Sequence, residues 1–127
     1  LKRVIVLACE KYGYKCSLNW IDVSHIDNMA WLFGYSMFNG DISRWDVSRV
    51  TNMNFMFHCS DFDSDISRWN TARVQTMYHM FWRSSFNHDI SRWNVSRVAN
   101  HVDIFDGCPI KEEFKPYVFR DELLDEE

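Results

Sequence analysis

The chain has 127 residues, a net charge of −4 and 46% hydrophobic residues, which supports one domain with a buried core and requires no second. The acidic excess is concentrated in the closing stretch from Arg120 to Glu127, read as a solvated tail, so composition offers no basic field for nucleic acid. The opening run Lys2 to Cys9 is too short for a signal-peptide core with its cleavage site or for a membrane span, and a chain beginning on leucine is expected to be an excised piece.

Residues 1–13 form the first expected element. Val4, Leu7 and Ala8 fall among lysines and a glutamate and the stretch ends at Gly13, which predicts a short amphipathic capping helix with those three apolar residues inward. The four cysteines, Cys9, Cys16, Cys59 and Cys108, form no CxxC pair and no zinc-type spacing, so buried free thiols are expected.

An internal repeat governs the next hundred residues. Phe38-Asn39-Gly40-Asp41-Ile42-Ser43-Arg44-Trp45 returns as Phe62-Asp63-Ser64-Asp65-Ile66-Ser67-Arg68-Trp69 and as Phe86-Asn87-His88-Asp89-Ile90-Ser91-Arg92-Trp93. The step is 24 residues, and Val50, Val74 and Val98 keep the same phase, as do Phe57, Phe81 and Phe105. Stepping back by 24 places Ile21 under Trp45 and Phe33 under Phe57, so Trp20 is out of register with the other tryptophans. The chain therefore divides into a degenerate first unit at 14–37, repeats at 38–61, 62–85 and 86–109, and a C-terminal cap with acidic tail at 110–127.

Within a unit, Asp-Ile-Ser-Arg-Trp alternates polar and apolar, which predicts a short strand, and Asp46–Val50 predicts a bend or second short strand. Thr51–Phe57 places apolar residues at i, i+3 and i+4 behind a capping residue, which predicts one or two helical turns. No unit can bury its apolar set alone, so a core requires stacking of neighbours. The fold class expected is α/β: a solenoid of 24-residue repeats, each a short strand plus a short helical turn, capped at both ends.

Phe38 to Phe57 reads FNGDISRWDVSRVTNMNFMF. This resembles the bacterial BspA-like leucine-rich-repeat surface proteins, and in particular the mycoplasma surface-lipoprotein repeat FNxDISxWDVSxVTxMxxMF. The likeness extends over about residues 1–116, including "SLNWIDVS" near the start and "CPIKEEFKP" at the exit. It departs at Thr71-Ala72, at His101 in a methionine slot and at Asp103. The resemblance implies a right-handed, leucine-rich-repeat-like solenoid, a bacterial surface or secreted location, and adhesion or protein binding without catalytic residues; a cytoplasmic location is the alternative.

Positions that vary between units while staying polar or aromatic are the candidates for function. If the methionines and Phe57 point inward, the residues between them face outward on a helical turn. That predicts an exposed, partner-binding row of Trp31, Tyr35, Phe55, His58, Tyr78, His79, Trp82 and Arg83, rich in the residue types of interface hot spots. The alternative for these aromatics is that they fold back as staples over neighbouring units. The ladder Asp41, Asp65, Asp89 needs compensation, by turn-closing hydrogen bonds before calcium, because it lacks a dense oxygen-ligand loop. No nucleophile–base set stands in a recognisable context among the five histidines, serines and cysteines. The expectation is a monomeric, non-catalytic protein-binding or adhesion module with a protein partner, no cofactor, no metal, no nucleic acid and no membrane insertion. The alternatives are a structural spacer of a longer surface protein and an intracellular inhibitor or immunity-type protein.

Overall fold

Between Met29 and Arg83, alternate backbone N–H groups bond to the next unit. The N–H groups of Met29, Trp31, Phe33 and Tyr35 donate to the carbonyls of Asn52, Asn54, Met56 and His58 at 2.8–3.1 Å. Met53, Phe55, Phe57 and Cys59 repeat this onto Thr76, Tyr78, Met80 and Trp82, and Met77, His79, Phe81 and Arg83 onto Asn100, Val102, Ile104 and Asp106. The N–H groups in between close local turns, as Leu32 does onto Met29, Gly34 onto Trp31 and Ser36 onto Phe33. Each segment is thus a string of turns that meets its 24-residue neighbours edge to edge.

This overturns the α/β expectation, and with it the leucine-rich-repeat-like solenoid of strands and helical turns. The computed structural model describes residues 1–121, and the acidic tail from Glu122 onward lies outside the described residues. Among the described residues the only α-helix is α1, Lys2–Tyr12, followed late in the chain by two short 3-10 helices at Glu112–Phe114 and Tyr117–Phe119. Strand character among the described residues is confined to isolated parallel bridges, Ser17 with Asp41, Asn28 with Asn52, Asn52 with Thr76 and Thr76 with Asn100, and these form no sheet. The molecule is a small compact domain built from turns.

The physical reasons are local. In the "DISRW" segments the aspartate accepts the serine N–H two residues on, at 2.9 Å for each of Asp41, Asp65 and Asp89. The tryptophan N–H then closes onto the isoleucine carbonyl, as Trp45 does onto Ile42 at 3.2 Å. Asp46 and Ser48 repeat the arrangement. Alternating polarity here reports a pair of turns whose apolar residues point inward, a pattern that sequence period alone does not separate from a strand. At 51–57 a helix is excluded because Phe55 sits at φ +58°.

The core follows the 24-residue phase. Phe33, Phe57, Phe81 and Phe105 stack at 5.4–5.7 Å between ring centroids. Phe38, Phe62 and Phe86 form a parallel column at 6.1–6.2 Å. The third column is Trp45, Trp69 and Trp93, at 6.2–6.5 Å. Each tryptophan also ties two units together: Trp45, Trp69 and Trp93 donate their indole N–H to the carbonyls of Leu18, Ile42 and Ile66 at 2.9–3.0 Å. Trp20 stays outside, 61% exposed.

Both ends are covered. Helix α1 ends at Gly13, whose N–H bonds the Cys9 carbonyl at 2.8 Å. Its buried side is Ile5, Ala8 and Cys9, so the helix is present and Ala8 packs as expected, whereas Val4 and Leu7 are exposed. The apolar run is continuous from Val4 to Cys9, and a run without gaps carries no information about which side packs. At the far end the Lys115 ammonium covers the ring of Phe105, and Phe119 stacks on His101 at 4.4 Å. The four cysteines are free thiols, with Cys9 buried and the others half-buried.

Trp69→Ala is expected to destabilise the domain by about 3–5 kcal/mol through loss of a buried aromatic. Trp69→Phe keeps much of the packing and removes the indole bond to the Ile42 carbonyl, which retains the Trp45 N–H, so it costs only about 1 kcal/mol. Chemical denaturation of both variants checks the order.

Candidate functional site

The turn pattern imposes an unusual backbone on the variable positions. Trp31, Phe55, His79 and Asp103 form one column of residues at φ +52° to +64°, and Tyr35, Cys59 and Arg83 form a second at φ +52° to +57°. Gly107 is the next member of the second column, at φ +72°. Left-handed backbone costs a residue with a side chain about 1–2 kcal/mol, and glycine avoids that cost. Glycine occupies the column once, so the other seven positions carry side chains in spite of the strain.

Those side chains form a ridge along the domain. Trp31 stacks on Phe55 at 4.3 Å and on Tyr35 at 6.1 Å. His58 lies edge-on to Trp31, Tyr35 and Phe55 and flat against Trp82 at 4.7 Å. Tyr78 stacks on His79 at 4.2 Å, His79 lies parallel to Trp82, and the Arg83 guanidinium covers Trp82 at 4.4 Å. All eight residues singled out from the sequence are therefore in one continuous cluster. Gly34 permits the first contact of the row, because a Cβ there would lie 2.7 Å from the Trp31 ring.

Their exposure differs from the expected row. Trp31, Tyr35 and Arg83 are exposed, Phe55, Tyr78, His79 and Trp82 are half-buried, and His58 is buried at 7% exposure. The expectation of uniform exposure rested on a helical turn. With left-handed residues in the segment, side chains one unit apart lie face to face and cover one another. Three further participants were left out of the sequence-based set. Asp103 places its carboxylate 3.5 Å from the His79 ring, the Asn54 side-chain oxygen accepts from Thr76 Oγ1 and the Tyr78 N–H, and Lys2 Nζ donates to the Trp31 carbonyl. Asp103 was legible in principle, since it follows His79 by one period.

Burial pushes the His58 ring pKa down, and the neighbouring His79 adds to the shift. Its Nδ1 is buried without a hydrogen-bond partner. His58 is accordingly a neutral spacer between aromatic faces. The ladder Asp41, Asp65 and Asp89, with Asp22 and Asp46, is compensated by the serine two residues on, whose hydroxyl and N–H hold each carboxyl below the usual carboxylate range. Burial raises the thiols of Cys9 and Cys108, which disfavours the nucleophilic thiolate. The arrangement can hold a partner by stacking and by the Arg83 cation.

Residues 8–115 match the family model described as "Mycoplasma protein of unknown function, DUF285". The chain belongs to this family. The mycoplasma half of the resemblance drawn from "FNGDISRWDVSRVTNMNFMF" thus holds at the level of the family, and the DUF285 match spans every unit of the repeat. No curated protein and no solved structure matches the chain. Among the described residues no helix is long and apolar enough to cross a membrane.

Two outcomes test this account of the site. Cys59→Gly relieves a left-handed residue and is expected to leave stability unchanged or raise it by up to about 1 kcal/mol, whereas Cys59→Val, β-branched at positive φ, lowers it by more than about 1 kcal/mol. Thermal melts of the pair read the sign. With pH, His58 has its folded pKa below the unfolded value of about 6.5, so the unfolded chain takes up the proton first and stability declines as pH falls below that value. The turn aspartates, also depressed, contribute stability that is complete above the ordinary carboxylate value and lost as pH falls through their folded values. Denaturation across pH 3–8 should show both stages in the wild type, and His58→Phe should abolish the first alone.

Proposed function

We propose that the domain is a non-catalytic protein-binding module of a bacterial surface protein, and that the aromatic and histidine ridge is its contact surface. The observation that carries this reading is the set of seven residues with side chains at left-handed positions, where glycine is conformationally cheaper. Strain retained at particular residues is a mark of functional positions when the surroundings hold it in place. Part of the return is internal, in the stacking of Trp31 on Phe55 and of His79 on Tyr78. Tyr35, at 69% exposure, and the exposed Arg83 bring no comparable burial, which leaves them for a partner.

Binding then proceeds by surface complementarity. The self-stacked row is rigid before contact, so little side-chain entropy is lost when a partner covers it. Tyr35 and Trp31 supply apolar area with polar edges, and Arg83, held flat on Trp82, supplies a preoriented cation. The surface location and the adhesion role belong to the BspA-like resemblance and are proposed together with the binding role.

The spacer reading has an observation of its own: Phe55, Tyr78 and Trp82 are half-buried against their neighbours, as staples would be. Substitutions at Tyr35 and Arg83 separate the two readings, because these side chains contribute little to packing. In affinity capture with the intact chain as bait, Tyr35→Glu with Arg83→Glu is expected to reduce recovery of a specific partner at least about tenfold, with the melting temperature unchanged. Undiminished capture by the double variant sinks the ridge as the contact surface.

A further inference from the structure

Helix α1 is apolar on more sides than its packing requires. Six apolar residues run without interruption from Val4 to Cys9, and the domain covers only Ile5, Ala8 and Cys9. Val4, Val6 and Leu7 stand 43%, 47% and 52% exposed. A helix that is apolar around its circumference is normally covered around its circumference. Tyr12 at the end of the helix and Tyr14 and Trp20 in the turns beyond it add exposed aromatic surface. Val6 and Tyr14 line one cleft with Lys2, and Tyr12 and Trp20 line another with Cys16 and Ser17. The Trp20 indole N–H is already satisfied by the Ser17 carbonyl at 3.0 Å, which leaves its ring to offer apolar surface.

The charge of this region is opposite to that of the rest. Residues 1–15 hold Lys2, Arg3, Lys11 and Lys15 against Glu10, a net +3; the whole chain is −4, so residues 16–127 carry −7. Arg3, Leu7 and Lys11 follow one another at intervals of four, which sets the exposed leucine between two cations on one helical face. Two such faces repel each other, so a second copy is a poor occupant and an anionic surface a good one.

We infer that this N-terminal face docks on an anionic lipid bilayer. Helix α1 lies in the plane of the interface with Val4 and Leu7 entering the boundary between headgroups and acyl chains. Tyr12, Tyr14 and Trp20 sit at the interface, where aromatic rings with one polar edge are favoured, and Arg3, Lys11 and Lys15 reach the headgroup phosphates, while Lys2 stays on the Trp31 carbonyl. Exposed aliphatic side chains, aromatic rings and cations gathered within residues 3–20 are the groups that the layers of a bilayer surface favour, and this points to lipid over a protein partner. The contact is peripheral and leaves the ridge free.

Sedimentation of the intact chain with phosphatidylcholine vesicles, with and without about one-third phosphatidylserine, tests this directly. Binding to the anionic vesicles is expected to be at least about tenfold tighter than to the neutral ones and to weaken as salt is raised. Val4→Glu with Leu7→Glu should remove it, as should Arg3→Gln with Lys11→Gln, which leaves the apolar packing untouched if the first pair lowers the melting temperature. Tyr35→Glu with Arg83→Glu should bind vesicles like the wild type, which separates this face from the ridge. Equal affinity for both vesicle types, no sedimentation with either, binding that survives both helix variants, or a dimer in gel filtration that Leu7→Glu dissociates would each overturn the inference.

Discussion

Alternate N–H groups bonding across units is the interaction on which the rest of this domain depends. Met29, Trp31, Phe33 and Tyr35 can all reach the following unit only if the residues between them turn back on themselves. Turning back requires left-handed backbone at Trp31 and Tyr35 and at their successors. The same alternation brings residues 24 apart into contact, which creates the Phe and Trp columns and the ridge together. Scaffold and candidate site are consequences of one hydrogen-bond pattern.

The ends of the domain differ for the same reason. From Met29 to Arg83 alternate N–H groups donate to the unit that follows, and among the described residues those of His101, Asp103, Phe105 and Gly107 have no such acceptor. The segment after Gly107 covers part of this edge with Lys115 over Phe105 and Phe119 over His101. At the opposite end α1 closes the core with three residues and leaves its other apolar side to solvent. Both ends leave apolar side chains exposed, Val4, Val6 and Leu7 at one and Val102, Tyr117 and Val118 at the other, and they differ in charge, +3 over residues 1–15 against 0 over residues 110–121.

The ridge combines two roles that are usually separate. Trp31, Phe55, His58 and Trp82 pack on one another, and this packing compensates part of the backbone strain at Trp31 and Phe55. Tyr35 and Arg83 stand at its exposed margin. Stacking also explains why His58, expected from the sequence to be exposed, is buried: Trp82 of the following unit lies flat on it, and Trp31 and Tyr35 of the preceding unit meet it edge-on.

The sequence by itself determined the period, the phase and the membership of the core, because identical apolar residues every 24 positions have no other economical use than mutual burial. It determined that Trp20 stands outside the tryptophan column, that residues near the start form a helix, and which eight variable residues belong together. Tertiary structure decided the conformation that joins them. Asp-Ile-Ser-Arg-Trp alternates as a strand would and Thr51–Phe57 spaces its apolar residues as a helix would, yet both are turns. Side-chain period records which residues face inward and not where their backbone groups find partners; here those partners are supplied by the neighbouring unit.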